Sequence, residues 1–244
     1  MFRALLLVCI LSLPCHGQAE NLNRILQLND AAHGGSEAFE RIENIRIRLV
    51  ITEPGFEVTG TYVATRFGDM RIDIKADEQT VFSEGLHQSQ AWQWTPDGGI
   101  ESQDGTAASA LRHGIELPSR FFTLLQARSM GADVSLVGAV KDNSGEQWQI
   151  RLELPDGFSR DYFIGQTNYL IVRERDHRAF HPAVDATPVP IETRYSDATF
   201  VDGVLRYSQS ENCNASNGEW LGSTKVVSVE HNVVLEDGYF EPGH

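Results

Sequence analysis

The stretch of sequence that decides the fold is Gln147-Trp148-Gln149-Ile150-Arg151-Leu152-Glu153-Leu154. Every second side chain in this stretch is apolar, and the side chains between them are polar or charged. Successive side chains of a β-strand point to opposite sides of the sheet, so the pattern predicts a strand with one buried face and one face in water. Trp148, Ile150, Leu152 and Leu154 form the predicted buried face.

Similar alternation recurs on both sides of this strand, beginning with IRIRLVI at residues 45–51. The other predicted strands are 56–67, 70–75, 80–83, 90–94, 134–140, 160–164, 169–175, 191–201, 204–210 and 224–235. Strands with one apolar face are typical of antiparallel sheets. Because a sheet with so many strands twists and curls, its apolar face has to be covered by helices, by closure of the sheet or by a ligand.

Helical patterns occur in two places along the chain. Residues 21–32 place Leu22, Ile25 and Leu26 on one face, and Gly34 and Gly35 follow as a helix end. Ser36 predicts the start of a short second helix. In the middle of the chain, residues 107–113 predict a weak helix and residues 119–129 a stronger one, with Ser119 as its N-cap.

The N-terminal residues 1–19 have the pattern of a cleaved secretory signal peptide. Arg3 precedes an apolar run at residues 4–13, and Gly17-Gln18-Ala19 offers small residues at a cleavage site. The run is too short to span a bilayer, so we expect a mature chain that begins at Glu20. The alternative is a lipoprotein signal with Cys15 as the acylated residue, although Pro14 is a poor residue to precede it.

The net charge argues against some classes of binding partner, and the cysteine content argues against a disulfide. The net charge is −14 for 244 residues, and removal of Arg3 with the signal makes it more negative still. Such acidity repels phosphate backbones and anionic headgroups, so we expect no nucleic-acid partner and no peripheral membrane anchor. Cys213 is the one cysteine left after cleavage, so no intramolecular disulfide is expected.

Several short motifs resemble one known family. They are Gly60-Thr61-Tyr62-Val63-Ala64-Thr65-Arg66, Arg71-Ile72-Asp73, Gly85, Trp92-Gln93-Trp94-Thr95-Pro96, Pro118-Ser119-Arg120-Phe121-Phe122-Thr123-Leu124-Leu125 and Tyr239-Phe240-Glu241-Pro242-Gly243. In this order they resemble the LolA and LolB family of bacterial periplasmic lipoprotein carriers, from about Leu22 to Gly243. The chain has Arg66-Phe67 where the family has Arg-Pro, and Glu84-Gly85 where it has Asp-Gly.

The resemblance implies a mainly β fold, a strongly curved antiparallel half-barrel sheet with helices covering the concave face. Residues 20–244 would form a single LolA-like domain in the periplasm. Its expected ligands are acyl chains of lipids or lipoproteins, with a membrane-bound donor or acceptor protein as a further partner. We expect a monomer that carries lipid in a hydrophobic cavity without catalysis, cofactor or metal.

Arg66 is the most informative single residue of the predicted site. It is in phase with Phe56, Val58 and Tyr62, so a regular strand would point it at the apolar side, where an unpaired charge is costly. The functional interpretation is an arginine that meets a ligand carbonyl or a helix carbonyl, and it matches the family's arginine that governs closing of the cavity. The alternative is an arginine at a strand end that reaches water.

The other predicted ligand-binding residues are apolar or aromatic side chains of the strands and of the middle helix. They are Tyr62, Phe56, Val58, Trp92, Trp94, Trp148, Ile150, Phe122 and Leu125. Core packing and lining of a lipid cavity use the same residue types, so the sequence leaves both roles open.

Catalytic motifs are absent from the sequence. Gly34-Gly35-Ser36-Glu37-Ala38 lacks the last glycine of a nucleophile elbow. His177 and His181 have a spacing that suits metal binding on a helix, but Pro182 prevents a helix there. Two alternatives to a carrier remain, namely an interaction or sensor module whose helices fill the concave face and an unrecognised hydrolase.

Overall fold

A computed structural model describes the backbone of residues 16–243 and the side chains of residues 21–243. The signal peptide predicted for residues 1–19 lies largely outside the described residues. The described helices are α1 (His16–Ala32), α2 (Ser36–Glu40), α3 (Gly105–Glu116) and α4 (Leu124–Ser129). The strands are β1 (Asn44–Glu53), β2 (Phe56–Thr65), β3 (Met70–Ala76), β4 (Gln79–His87), β5 (Gln90–Thr95), β6 (Gly99–Gln103), β7 (Asp133–Asp142), β8 (Gly145–Glu153), β9 (Ser159–Gly165), β10 (Ile171–Arg178), β11 (Val189–Val201), β12 (Val204–Asn214) and β13 (Trp220–His231).

These strands form one antiparallel sheet that is not closed into a barrel, as predicted. Its order is β6-β5-β4-β3-β2-β1-β13-β12-β11-β10-β9-β8-β7, so two meanders are joined where β1 pairs with β13. β6 and β7 lie at opposite edges of the sheet although they follow each other in the chain. The segment between them, which contains α3 and α4, therefore has to pass across one face of the sheet.

That face, called the inner face below, carries the apolar side chains of most strands. The register pairs Ile47 of β1 with Tyr62 of β2, and Tyr62 with Ile72 of β3. Two clusters of buried side chains join the inner face to the helices. The first contains residues of α2 and α3 with Ile45, Ala64 and Met70, and the second contains residues of α1 and α4 with Ile150, Leu152 and Ile164.

Some predicted boundaries differ from the observed ones. The middle helix begins at Leu124, because Thr123 is its N-cap. The Thr123 hydroxyl accepts a hydrogen bond from the backbone N–H of Gln126, and the Gln126 side-chain oxygen accepts one from the backbone N–H of Thr123. The prediction that Ser119 caps this helix is wrong. The sequence pattern does not predict β6, because this edge strand has mostly exposed side chains and no alternation of apolar and polar residues. The last strand ends at His231, before the predicted residue 235.

The C-terminal segment packs on the opposite, outer face of the sheet. Phe240 is buried there, and its carbonyl oxygen accepts a hydrogen bond of 3.0 Å from the Trp92 indole. A Cβ on Gly85 would lie 2.6 Å from the Trp92 ring, so glycine is needed at 85 for the ring to lie flat over β4.

Candidate ligand-binding cavity

A cavity of about 1060 Å³ lies against the inner face. The helices cover the ends of the strands that carry Ile45, Ala64 and Met70, and the cavity occupies the part of the same face that they leave uncovered. α3 and residues 117–120 border the cavity on the helical side, and residues 179–184 border it from the loop after β10.

One wall of the cavity is apolar and comes from β1 to β4. Its side chains are Ile47, Leu49, Ile51, Phe56, Tyr62, Ile72 and Phe82. The antiparallel register places Tyr62 beside Ile47 on one side and Ile72 on the other, so these residues form a continuous row across three strands. α3 adds Ala110 and Leu111 opposite them.

The opposite wall carries charges and comes from β9 to β11. Arg160 bridges Glu174 at 2.8 Å and Asp176 at 2.7 Å, and Arg178 also pairs with Asp176. The Asp176 side chain is 0% exposed, and Arg160 and Glu174 line the cavity. Burial alone would lower the pKa of Arg160, but the charges of Glu174, Tyr162 and Asp176 outweigh it and raise this pKa. The arginine is therefore fixed in its charged form.

Glu84 places a carboxyl group in the apolar wall. It lies beside Ile72 in the sheet and lines the cavity, and no hydrogen bond or ion pair reaches it from the side chains of residues 21–243. Burial raises the pKa of Glu84 to about 7, and the charge of His181 lowers it only in part. Glu84 is therefore an acid that can lose or keep its proton near neutral pH.

Arg206 of β12 holds the segment between α3 and α4 against the sheet. Its guanidinium donates to the carbonyl oxygens of Ser119 at 2.7 Å and Arg120 at 3.0 Å. Burial and the charge of Arg120 lower the pKa of Arg206 to about 10, so it remains charged at neutral pH. The guanidinium also contacts His231 Nε2 at 3.0 Å, and His231 Nδ1 lies 3.0 Å from an Asp202 carboxylate oxygen. Burial and Arg206 lower the pKa of His231, although Asp202 opposes them.

The loop after β10 closes part of the cavity from the other side. His181 Nε2 lies 2.9 Å from a carboxylate oxygen of Glu53, at the end of β1. The loop therefore links the charged wall of the cavity to the apolar wall.

An open curved sheet with a helical segment across its inner face also occurs in solved structures of other proteins. No protein-family profile and no curated protein matches the chain. Among solved structures, a LolA superfamily protein from Nitrosomonas europaea superimposes with a TM-score of 0.57 at 10% identity, covering 89% of this chain and 96% of that one. The fold of this chain is LolA-like.

Two further solved structures are similar to this chain. A domain named for outer membrane lipoprotein sorting, from Vibrio parahaemolyticus, has a TM-score of 0.57 at 9% identity and covers 93% of this chain and 97% of its own. A DUF1329 family protein from Desulfovibrio piger has a TM-score of 0.56 at 13% identity, covering 88% and 97%. None of the described helices is both long and apolar enough to cross a membrane.

The structure brings only part of the predicted site to the cavity. Tyr62 and Phe56 line it, and Val58 lies on the same face but outside the lining. Ile150 belongs to the buried cluster under α1, Trp148 and Leu125 are partly buried against that cluster, and Phe122 packs against both clusters. These four side chains fill the core of the LolA-like fold and do not reach the cavity.

Trp92 and Trp94 lie on the outer face, contrary to the expectation that they share the apolar face with Tyr62. The register pairs Leu86 with Ala91 and Gly85 with Trp92, which puts Ala91 and not Trp92 on the inner face. Both tryptophans line a separate outer groove of about 520 Å³ beside Gly243. The two tryptophans share one face of β5, as the alternation predicts, but pairing with β4 determines that this is the outer face.

Arg66 lies just beyond the end of β2 and is half-buried. Its guanidinium donates to the carbonyl oxygen of Glu40, the last residue of α2, at 2.5 Å. Arg66 thus meets a helix carbonyl at the edge of the LolA-like fold, outside the cavity lining.

Several polar residues of the cavity were missed by sequence reasoning, among them Glu84, Arg120, Arg160 and Glu174. Glu84 had a signal, because it is in phase with Phe82 and Leu86, the apolar side of its strand. A charged residue in an apolar phase marks either a paired group or a ligand contact. Arg120 had no such signal, because it lies between two helices and only the tertiary fold brings it over the sheet.

Proposed function

We propose that this protein binds acyl chains of lipids or lipoproteins in its inner cavity and carries them through the periplasm without catalysis. The observation that carries the proposal is the cavity of about 1060 Å³, one wall of which is apolar. Its size is slightly above the roughly 300–1,000 Å³ that ligand sites in proteins occupy. The LolA-like fold of the chain supports the same function.

The energetics of burial suit a carrier that uses no chemical step. Each methylene removed from water contributes about 0.8 kcal/mol, so a chain of about ten methylenes gives about 8 kcal/mol before the costs of binding. Ile47, Leu49, Ile51, Ile72 and Phe82 supply the apolar contacts for such a chain. In the alternative of an interaction or sensor module, the helices would fill this face, and the volume beside Leu49 argues against that arrangement.

Export to the periplasm is part of the proposal and rests on residues 1–19 and on the fold. We expect the mature protein to begin at Glu20, with no lipid on Cys15. Intact mass spectrometry of the processed protein measures this directly, and an acylated N-terminal Cys15 would contradict it. A membrane-bound donor or acceptor protein would then exchange the ligand with the carrier.

The test of acyl-chain binding is a titration with an environment-sensitive fluorescent fatty acid. We expect saturable binding to the wild type and at least tenfold weaker binding to Ile72→Trp, which fills the apolar wall. Val227→Trp is the matched control, because Val227 is exposed on β13 outside the cavity lining. Absence of saturable binding to the wild type would refute the proposed function, and native mass spectrometry of protein from its own host would identify a retained lipid.

A further inference from the structure

Three polar groups with unmet hydrogen-bonding capacity converge on the apolar wall of the cavity. They are the Glu84 carboxyl group, the Tyr62 hydroxyl and Nε of Arg120, and all three residues line the cavity. Tyr62 is 6% exposed, yet its hydroxyl has no hydrogen-bond partner within the described part of the chain. Arg120 Nε is likewise buried without a partner there. Buried polar groups in proteins are nearly always hydrogen-bonded, so these two buried exceptions, together with the unpaired Glu84 carboxyl group in the same wall, indicate a ligand group.

The positions of the three groups are fixed by the fold. Tyr62 and Glu84 lie in one row across β2, β3 and β4, with Ile72 between them. The Arg120 guanidinium lies 4.6 Å from the centre of the Tyr62 ring, and its Nη1 is held by the Gly114 carbonyl oxygen at 2.7 Å. Arg120 is thus oriented by its own segment at the border of the cavity, and its buried Nε is left without a partner in the described part of the chain.

Glu84 and Arg120 carry opposite charges, so an anionic or a cationic ligand end is attracted by one of them and repelled by the other. Burial raises the pKa of Tyr62, so the hydroxyl keeps its proton and serves as a hydrogen-bond donor. Glu84 repels a carboxylate wherever it is ionised, and Arg120 repels an ammonium group. Arg206 is already engaged by two carbonyl oxygens and His231, and His181 is paired with Glu53. A neutral group therefore meets the least electrostatic opposition.

We propose that Glu84, Tyr62 and Arg120 recognise an amide within the acyl ligand, so that the cavity selects amide-linked acyl chains over free fatty acids. An amide N–H would donate to the Glu84 carboxyl group, and its carbonyl oxygen would accept from the Tyr62 hydroxyl or Arg120 Nε. β2 and β4 are two strand spacings apart, about 9–10 Å, and an amide carries its donor and acceptor on opposite sides. A single hydroxyl group would span this separation less well. The inference rests on the proposed acyl-chain binding and adds the chemistry of the ligand's polar group.

The experiment is competition against laurdan, an uncharged fluorescent dye with a lauroyl chain, at pH 8. Lauramide, laurate and dodecylammonium carry chains of equal length and differ in the polar group. For the wild type we expect lauramide to displace the dye at a concentration at least tenfold lower than either charged ligand. Glu84→Gln should reduce the preference over laurate to less than threefold, and Tyr62→Phe should weaken lauramide binding about fivefold. Glu101→Gln is the control, because Glu101 is exposed on β6 outside the cavity lining.

The possible results separate this inference from the proposed function. Equal displacement by all three ligands in the wild type would overturn amide recognition and leave acyl-chain binding intact. A preference that survives in both Glu84→Gln and Tyr62→Phe would also overturn it. If neither laurdan nor any of the ligands binds, the proposed function fails together with this inference. Both substitutions keep the shape of the side chain, and circular dichroism melting verifies that each variant is folded.

Discussion

The two walls of the cavity come from the same antiparallel sheet but are stabilised in different ways. The wall from β9 to β11 is held by buried ion pairs, in which Asp176 joins Arg160 and Arg178. The wall from β1 to β4 consists of apolar side chains, and only their helix-covered ends are packed against a partner. Ion pairs fix the geometry of the charged wall without a ligand, whereas the uncovered apolar side chains gain contacts only when something enters the cavity. The predicted effects of substitution differ accordingly.

The largest effect is expected where a buried charge loses its partner. Asp176→Ala leaves Arg160 and Arg178 without the carboxylate that they share, and we expect a loss of about 4 kcal/mol in the free energy of unfolding. The control is Glu146→Ala, which breaks the exposed Lys141–Glu146 pair in the same meander and should cost less than about 1 kcal/mol. Urea denaturation measures both. Similar losses for the two variants would mean that the charged wall is not held by its ion pairs.

The next largest effect is a difference in stability loss between alanine substitutions of two isoleucines on one face of β1. Ile45 is 0% exposed within a helix-covered cluster, so Ile45→Ala should cost about 3 kcal/mol through lost burial and the space left behind. Ile51 lines the cavity, where fewer atoms surround it, and Ile51→Ala should cost about 1 kcal/mol. Thermal unfolding of both variants tests this difference. Equal losses would show that the apolar wall is as tightly packed as the core.

Substitution of Glu84 is expected to change the free energy of unfolding by an intermediate amount that depends on pH. Its pKa is raised by burial to about 7 in the folded protein, above the value of 4.5 for an unperturbed glutamate. The folded state therefore binds the proton more tightly, so the neutral carboxyl group is tolerated below about pH 4.5 and stability is lost as the pH rises through about 7. We expect Glu84→Gln to be about 2 kcal/mol more stable than the wild type at pH 8 and nearly equal to it at pH 4.

Denaturation of the wild type and Glu84→Gln at several pH values measures this difference. A difference that does not change with pH would contradict a buried, unpaired carboxyl group in the apolar wall.

The smallest effect is expected for Arg66, at the edge of the fold. Arg66→Leu removes the hydrogen bond to the Glu40 carbonyl oxygen, which should cost about 1 kcal/mol or less. Because α2 packs in one buried cluster with α3, which lines the cavity, we expect occupancy by the fluorescent fatty acid to change more than stability does. Arg48→Leu is the control, because Arg48 is exposed on β1. Unchanged fatty-acid binding in Arg66→Leu would limit this residue to a structural role.

The sequence by itself determined the class of fold, because alternation is a local property. The stretch at residues 147–154 and the one at 45–51 each have a clear period of two, and the structure confirms both as strands. The alternation also identified Ile45 and Ile150 as inward-facing. It failed at β6, where an edge strand has no buried face to produce a pattern, and at Ser119, since a cap is defined by the helix that follows it.

Only the tertiary structure decided which of these inward residues line a cavity. Trp92 and Trp94 alternate as clearly as Tyr62, but pairing of Gly85 with Trp92 turns both tryptophans to the outer face. Ile45 and Ile51 are equivalent in the sequence pattern, yet one meets helices and the other meets the cavity. That distinction depends on where the chain between β6 and β7 crosses the sheet. The path is set by packing between residues distant in sequence, and a local pattern carries no information about it.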